Sequence, residues 1–426
     1  MKVLILGSGG REHALAWAAS RSPRVTEVVC APGNGGIGQV ARCVPVDMKD
    51  VAAMLRLAEA EQPSLTIVGP ELPLSLGVVD AFRERGYRIF GPTRDAAQLE
   101  SSKAFAKQFM KRHQIPTANY AVCTTGKEVE ESIKHFHAPV VVKADGLAAG
   151  KGVIICPTRQ FAIDAAHGLF SGELLGVAEK QVVIEEFLEG EEVSFLCLSD
   201  GTHVVPLVPA QDHKRIGEGD TGPNTGGMGV YSTSDMLEPT MTEWILHHIA
   251  EPTVRGMAEE GAPFVGVLYC GLMMTARGPQ LLEYNARFGD PETQAILLRL
   301  ESDLVDALEA CIDGSLAETE MRWSQGAAAC VVASSSGYPG SYKTGLPITG
   351  LSLAAQIPGV EVFHSGTTRV GSQLVTSGGR VLGVTAEGDS LEEALSRAYE
   401  ALAQIHFEGM YYRHDIGHRA LKQPRR

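Results

Sequence analysis

The chain has 426 residues, of which 44% are hydrophobic, 21% charged and 6% aromatic, and its formal net charge is -14. That length exceeds one ordinary core and calls for about two to four compact domains of roughly 100–200 residues each. The negative charge excludes broad attraction to nucleic acid or anionic membrane, and no stretch approaches the ~20 apolar residues that a membrane span requires.

Residues 1–7 lack the longer apolar region of a signal peptide and read as a first strand, so a cytoplasmic protein is expected. From residue 1 to about 100, apolar runs at 3–6, 27–30, 65–68 and 87–90 alternate with helix-period segments at 12–19, 51–60 and 78–85. Strand-helix alternation predicts a doubly wound parallel sheet. Several strands run into the turns Gly7-Ser8-Gly9-Gly10, Gly69-Pro70-Glu71 and Gly91-Pro92-Thr93, which should cluster at the carboxyl edge where open sheets bind ligands. In the first turn Glu12 stands where the dinucleotide fingerprint needs its third glycine, which disfavours a Rossmann oxidoreductase. A strand, glycine turn and helix amino terminus still suit a phosphate monoester, unless the glycines serve backbone geometry alone.

A long helix is expected at 93–111, ended by Ile115-Pro116-Thr117 because proline cannot continue it. A small α/β unit follows, with strands at 120–123, 140–143, 153–156 and 182–187 and a first helix near 127–135. Its loop Lys143-Ala144-Asp145-Gly146-Leu147-Ala148-Ala149-Gly150-Lys151-Gly152 is not a Walker loop, since Gly152 stands where Ser or Thr should hold magnesium. A lysine closing a strand before a glycine loop suits a lid over a triphosphate, with Lys143 neutralising charge; a solvated hairpin is the alternative. Past Glu185-Glu186-Phe187-Leu188 the chain reads Glu189-Gly190-Glu191-Glu192. Such a strand can set its backbone against an adenine edge and a carboxylate against ribose hydroxyls, or be an ordinary strand with a charged exit.

Next, Gln211-Asp212-His213-Lys214-Arg215 and the run 221–229, which includes Gly226 and Gly227, form a long loop too polar and glycine-rich to be core. It is expected to bind substrate. The run Leu281-Leu282-Glu283-Tyr284-Asn285-Ala286-Arg287-Phe288-Gly289-Asp290 is the most informative. Strand alternation puts Glu283 and Asn285 on one face and Leu282 and Tyr284 on the other. Two hard oxygen donors on one face suit magnesium carrying substrate phosphates, and Arg287 could fork onto a carboxylate or a moving phosphoryl group. A structural salt-bridge strand is the alternative, though it has no need of the Asn285 amide. The tail from 326 shows strands at 327–333, 360–364 and 381–385 and a helix at 391–405, a separate α+β module. Eight cysteines (Cys30, Cys43, Cys123, Cys156, Cys197, Cys270, Cys311, Cys330) lie scattered without a CxxC pair and read as buried small hydrophobes rather than a zinc or redox site.

Together GxGGREHALAW, TIVGPE, KADGLAAGKGV, IEEFLEGEE, QDHKR, TGPNTGGMG, ExNxRFGDPETQ and the tail Asp415-Ile416-Gly417-His418-Arg419-Ala420 resemble the glycinamide ribonucleotide synthetase family of ATP-grasp ligases. The resemblance runs from residue 1 to the end. It implies an N-terminal domain at 1–100, an ATP-grasp body at 101–120 and 190–324, a mobile lid at 121–189 and a C-terminal domain at 325–426. It implies that Lys103, Lys143 and the loop with Gly146, Gly150, Lys151 and Gly152 hold ATP phosphates. Glu185, Glu186, Phe187 and Leu188 would line the adenine, and Glu191 or Glu192 the ribose. Glu283 and Asn285 would hold magnesium or manganese. Gly7, Gly9, Gly10, Pro70 and Glu71 would receive the phosphoribosyl group, with Gly226 and Gly227 in the substrate loop and Arg287, Asp212, Lys214 and Asp290 at the chemistry.

The implied reaction joins glycine to 5-phosphoribosylamine through glycyl phosphate, in a monomer without nucleic-acid or membrane partners. Competing readings are another ATP-grasp carboxylate-amine ligase, a bicarbonate-activating carboxylase, or a nucleotide-binding regulatory module that does not turn over. Two departures stand out: Ser8 replaces the asparagine common in the family, and the strand at 266–274 lacks the carboxylate other ATP-grasp enzymes place before the metal strand.

Overall fold

The computed structural model describes residues 1–147 and 152–422, so Gly150 and Lys151, in the glycine loop of the 121–189 unit (the flap), lie outside the described residues. In the N-terminal region, strands Lys2–Gly7, Glu27–Pro32, Arg42–Cys43, Leu65–Val68 and Ile89–Phe90 form the expected parallel sheet. Lys2–Gly7 is central, flanked by Glu27–Pro32 and Leu65–Val68. The Gly7-Gly10 and Gly69-Pro70 turns therefore emerge side by side where the winding reverses, the crevice at which such sheets bind ligands.

The expected helix at 93–111 is two helices, Gln98–Ser101 and Lys103–Arg112. Ser102 breaks it by adopting an extended conformation and capping the second helix, its hydroxyl accepting from the Phe105 N–H. The small α/β unit forms as a four-stranded antiparallel sheet in the order Tyr120–Cys123, Val182–Glu186, Val140–Ala144, Val153–Cys156. Helices Gly126–Ser132 and Arg159–Ser171 cover it and give it a hydrophobic core of its own, including Val129, Val142, Ala166 and Ile184.

The body sheet is antiparallel, ordered Val204–Pro206, Glu191–Asp200, Val265–Thr275, Gly278–Asn285. The hydrophobic clusters on both faces of the N-terminal sheet run on into the body, with helix Leu304–Asp313 bridging the first: Val3, Ile5 and Leu15 share a cluster with Leu308, Leu196, Val267 and Phe288, and Leu4, Leu6 and Phe82 share another with Phe195, Leu268 and Tyr284.

The region expected to be a long polar loop is instead built into a sheet. Gln211–Asp212 pairs with Gly229–Thr233, which pairs with Ala327–Ser335, and the order continues through Arg380–Gly388 to Val360–His364. Between them Arg215–Gly217 and Thr221–Asn224 form a hairpin. Gln211, His213 and Thr225 are buried with their side chains hydrogen-bonded, to the Glu192 carbonyl and Tyr231 hydroxyl, to the Gly229 carbonyl and Gly417 N–H, and to the Lys214 carbonyl respectively, whereas Asp212 is buried with one carboxylate oxygen unpartnered. The sheet thus draws strands from both sides of residue 325, with helix Leu391–Gln404 packed on it. Seven cysteines are buried as expected, but Cys43, on the short edge strand, is exposed.

Candidate active site

The strand Gly278–Asn285 pairs with Val265–Thr275, setting Glu283 opposite Gly271 and Asn285 opposite Tyr269. Glu283 and Asn285 share a face as expected, and Tyr284 turns into the core. Leu282 does not accompany it. The register shifts between Gly271 and Leu272, leaving Leu282 as the extra residue of a bulge while Leu281 fills the core position. The Leu282 carbonyl, re-aimed by that bulge, accepts from Lys143 Nζ at 3.2 Å.

Desolvation in the cleft opposes ionisation of Glu283, but Lys214, Lys143, Lys103 and Arg287 hold its carboxyl below the usual carboxylate value. Lys214 Nζ lies 2.8 Å from Glu192 and 4.0 Å from Glu283; burial opposes its charge, yet these two carboxylates raise its pKa well above the ordinary lysine value. An ionised Glu283 beside the Asn285 amide oxygen offers two hard donors. Among the described residues no cluster of three or more His, Cys, Asp or Glu forms a cage. The pair fits a magnesium-sized cation that completes its shell with water and phosphate oxygens.

Across the cleft, Lys143 and Lys107 share Glu185 Oε2 at 3.0 and 3.2 Å. Glu185 is buried and its Oε1 has no hydrogen-bond partner. Lys107, which sequence reasoning missed, has its pKa lowered to about 8 by burial, against the pull of Glu185. Its spacing of one helical turn from Lys103 was the available signal. The flap meets the body again at Asp145, whose Oδ1 accepts from the Ala104 N–H at 2.8 Å and the Ser102 hydroxyl at 3.0 Å, while Lys103 Nζ donates to the Gly146 carbonyl at 3.1 Å. Glu186 gives its carboxylate to Asn119 and Arg277 and its backbone N–H to the Asn119 carbonyl at 3.0 Å; Phe187 is exposed and Leu188 buried.

Arg287 joins this half of the site to the N-terminal sheet. Nε donates to Glu71 at 3.2 Å and Nη2 to Asn285 at 3.3 Å, and Nη2 stands 3.0 Å from Glu100, a partner not foreseen. At the sheet edge, Glu12 folds back into the space that the missing third glycine would leave empty. Its Oε2 accepts the Gly9 N–H at 2.5 Å, and a Cβ on Gly69 would lie 2.0 Å from its Oε1. That N–H is therefore taken by Glu12 rather than left for a phosphate.

Asp290 stands over the same turn, held by Arg380 at 3.0 Å and Gln294 at 2.8 Å. Arg380 Nη1 also donates to the Gly226 carbonyl at 2.6 Å, and the Gly226 N–H donates to the Tyr338 hydroxyl at 3.0 Å. No local signal marks Arg380 or Tyr338 in the sequence. Gly227 has φ +114° and passes so close to Asp212 that a Cβ would sit 2.7 Å from its Oδ1. That oxygen is buried without a partner; burial, then the Glu292 charge, raise the Asp212 pKa well above the carboxylate range. Glu292, also unforeseen, accepts from Tyr269 and Ser194. The site is thus continuous from the glycine turn through Asp290, Gly227, Asp212 and Lys214 to Glu283 and the flap lysines.

Residues 1–100, 101–293 and 328–419 match the N domain, the ATP-grasp (A) domain and the C domain of the family described as phosphoribosylglycinamide synthetase. The chain is 51% identical over 424 residues, 99% of each chain, to a phosphoribosylamine–glycine ligase of Vibrio parahaemolyticus. The crystal structure of a phosphoribosylamine–glycine ligase from Thermotoga maritima is similar at a TM-score of 0.85 and 36% identity, covering 97% of this chain and 100% of that one. A biotin carboxylase from Campylobacter jejuni shares the fold at a TM-score of 0.73, with 13% identity over 96% of this chain and 92% of that one.

Proposed function

Since the chain belongs to the phosphoribosylglycinamide synthetase family, an ATP-dependent ligase family of purine biosynthesis, we propose that its cleft joins glycine to 5-phosphoribosylamine through glycyl phosphate. The observation that carries the reading is the single face on which Glu283, Asn285 and Lys214 meet the flap lysine Lys143.

A carboxylate is a poor electrophile, so glycine must first acquire a leaving group. A glycine carboxylate oxygen attacks the γ-phosphorus of ATP and ADP departs. Lys143 and Lys103 offset the charge that moves with the phosphoryl group, which is electrostatic positioning rather than proton transfer. Glu283 and Asn285 would hold the magnesium or manganese ion, whose chemistry is further neutralisation of phosphate charge. The amine of 5-phosphoribosylamine then attacks the glycyl carbonyl carbon, the C–N bond forms, phosphate leaves and the amine loses a proton.

The unpartnered Glu185 oxygen suits the exocyclic amine of adenine, the backbone of Glu186, Phe187 and Leu188 its edge, and Glu191 or Glu192 the ribose. Asp212 holds the glycine ammonium, because its buried oxygen lacks a donor whereas both Asp290 oxygens are engaged. Lys214 and Arg287 face the glycine carboxylate and moving phosphoryl group. Gly7, Gly10, Pro70 and Glu71 frame the sugar phosphate, Gly9 lining the turn with its N–H held by Glu12, and Gly226 and Gly227 close the glycine side. The protein acts as a cytoplasmic monomer; among the described residues no helix is long and apolar enough to cross a membrane.

The test is ADP release with each substrate omitted in turn. ADP formation that requires glycine and 5-phosphoribosylamine, and not bicarbonate, is expected. Bicarbonate-dependent turnover without glycine would sink the reading in favour of a carboxylase. ATP binding without turnover would favour a regulatory module.

A further inference from the structure

The motif at 415–420 takes no part in the chemistry above, yet it grips the segment that carries Asp212 and Lys214. His213, between them, is fully buried. Its backbone N–H donates to the Gly229 carbonyl at 2.9 Å, its Nδ1 lies 3.3 Å from the same oxygen, and the Gly417 N–H donates to its Nε2 at 3.2 Å. A ring that donates from one nitrogen and accepts at the other is neutral and held in one tautomer.

Farther out, the fully buried Arg413 binds Asp220 at 3.0 Å, both Asp415 oxygens at 2.7 and 2.8 Å, and the Arg215 carbonyl at 3.0 Å. Arg419 adds a second hold on Asp220 at 2.7 Å, the Gly219 N–H donates to Asp415 at 2.8 Å, and the Tyr411 hydroxyl donates to the Ile216 carbonyl at 2.9 Å. Both the start and the tip of the 213–224 hairpin are therefore fastened to 411–419.

We propose that segment 411–419 is a positioning clamp for the ligase reaction: by holding the His213 ring and the Asp220 turn, it sets where Asp212 and Lys214 stand relative to Glu283. Alternation along the chain directs the His213 ring to the clamp and its two neighbours to the cleft, where Asp212 meets Gly227 and Lys214 meets Glu192. A shift of the ring must move both neighbours, and displacements of about 1 Å at a reacting centre are costly. Arg413 makes the clamp stiff, because a buried guanidinium deprived of its carboxylates is strongly unfavourable. His213 and Arg413 are positioning residues that touch no substrate. The inference rests on reading Asp212 and Lys214 as glycine-site residues.

The experiment compares His213→Leu and His213→Gln in the full chain, measuring KM for glycine, KM for ATP, kcat and thermal unfolding. Leucine fills the space without either ring hydrogen bond, whereas a glutamine amide can both donate to Gly229 and accept from Gly417. Expected is a loss in kcat/KM for glycine of about tenfold in His213→Leu, the worth of one to two hydrogen bonds, with KM for ATP unchanged and most of the loss restored in His213→Gln. A lowered melting temperature with wild-type constants for glycine would overturn the clamp, as would equal losses in both variants. Should His213→Leu not fold, Asp415→Asn weakens the Arg413 grip by removing the charge of its two-oxygen partner; a raised KM for glycine supports the clamp and an unchanged one overturns it. Wild-type protein without glycine-dependent ADP release counts against the ligase reading itself and is thereby told apart from failure of the clamp.

Discussion

Glu283 keeps its charge in a cleft where desolvation resists it, because four cations converge on it. Glu283→Gln preserves size and removes that charge. The ligase rate should fall at least about 100-fold, the scale of losing one preorganised charge contact, while circular dichroism and melting temperature stay near wild type; an active variant would overturn the proposal that Glu283 holds a metal ion. Asp212 lies at the opposite electrostatic extreme, its pKa raised by burial and by Glu292. To hold an ammonium it must lose its proton, so kcat/KM for glycine should climb as pH rises through that elevated value. Because the folded state binds this proton more tightly than the unfolded chain, the contribution of Asp212 to stability is full at low pH and is lost as pH rises through the raised value. Asp212→Asn should therefore cut kcat/KM for glycine about 10- to 100-fold, abolish the acid limb, and raise the melting temperature at neutral pH. A variant that kept the same pH profile would show the limb to belong elsewhere.

Among the elements, the joint between flap and body is the most consequential. Ser102 splits an expected helix so that Lys103–Arg112 can start against the flap, where Asp145 accepts from the Ala104 N–H and the Ser102 hydroxyl. Asp145→Ala should cost about 1 kcal/mol, as a lost helix cap does, and raise KM for ATP while leaving KM for glycine unchanged; if calorimetry found no loss and KM for ATP held steady, the joint would have no part in nucleotide binding. The break was hard to foresee from the chain alone. Residues 93–111 have helical composition, and the partner that rewards the interruption lies 43 residues from Ser102. The hairpin at 213–224 escaped for a similar reason: its polarity reads as a loop until Arg413, Asp415 and Arg419 are placed around it.

At the scale of the molecule, the N-terminal helix Gly10–Ser20 meets the C-terminal strand Val360–His364 through two buried histidines. The His364 N–H donates to His13 Nδ1 at 2.8 Å, and Asn34 spans the same junction, donating to the Ser8 and His364 carbonyls at 2.8 and 2.7 Å. Burial, with His364 beside it, lowers the His13 pKa to about 3, and burial, with Arg369 nearby, lowers that of His364 to about 4. The unfolded chain takes up these protons near the ordinary histidine value of about 6.5, so their stabilising contribution is complete above that pH and drains away as pH falls toward the folded values. Stability should fall between pH 7 and 5, by up to about 1.4 kcal/mol per pH unit for each histidine, and be read as a lowered melting temperature. His13→Gln, which keeps an acceptor for the His364 N–H, should flatten the slope. An unaltered slope would place the acid sensitivity outside this junction.

Local periodicity was enough to place the parallel sheet, the flap strands and the shared face of Glu283 and Asn285, because each depends on residues a few positions apart whose spacing matches one strand or helix. It also carried the family motifs, which are contiguous. Tertiary structure alone decided that Leu282 bulges out, that Glu12 occupies the glycine turn, that Lys107 joins Lys143 on Glu185, and that Arg380 reaches Gly226 across 154 residues. Such contacts exist only once separate segments close on one another, and a charged side chain looks the same in the sequence whether it will meet water or a buried partner.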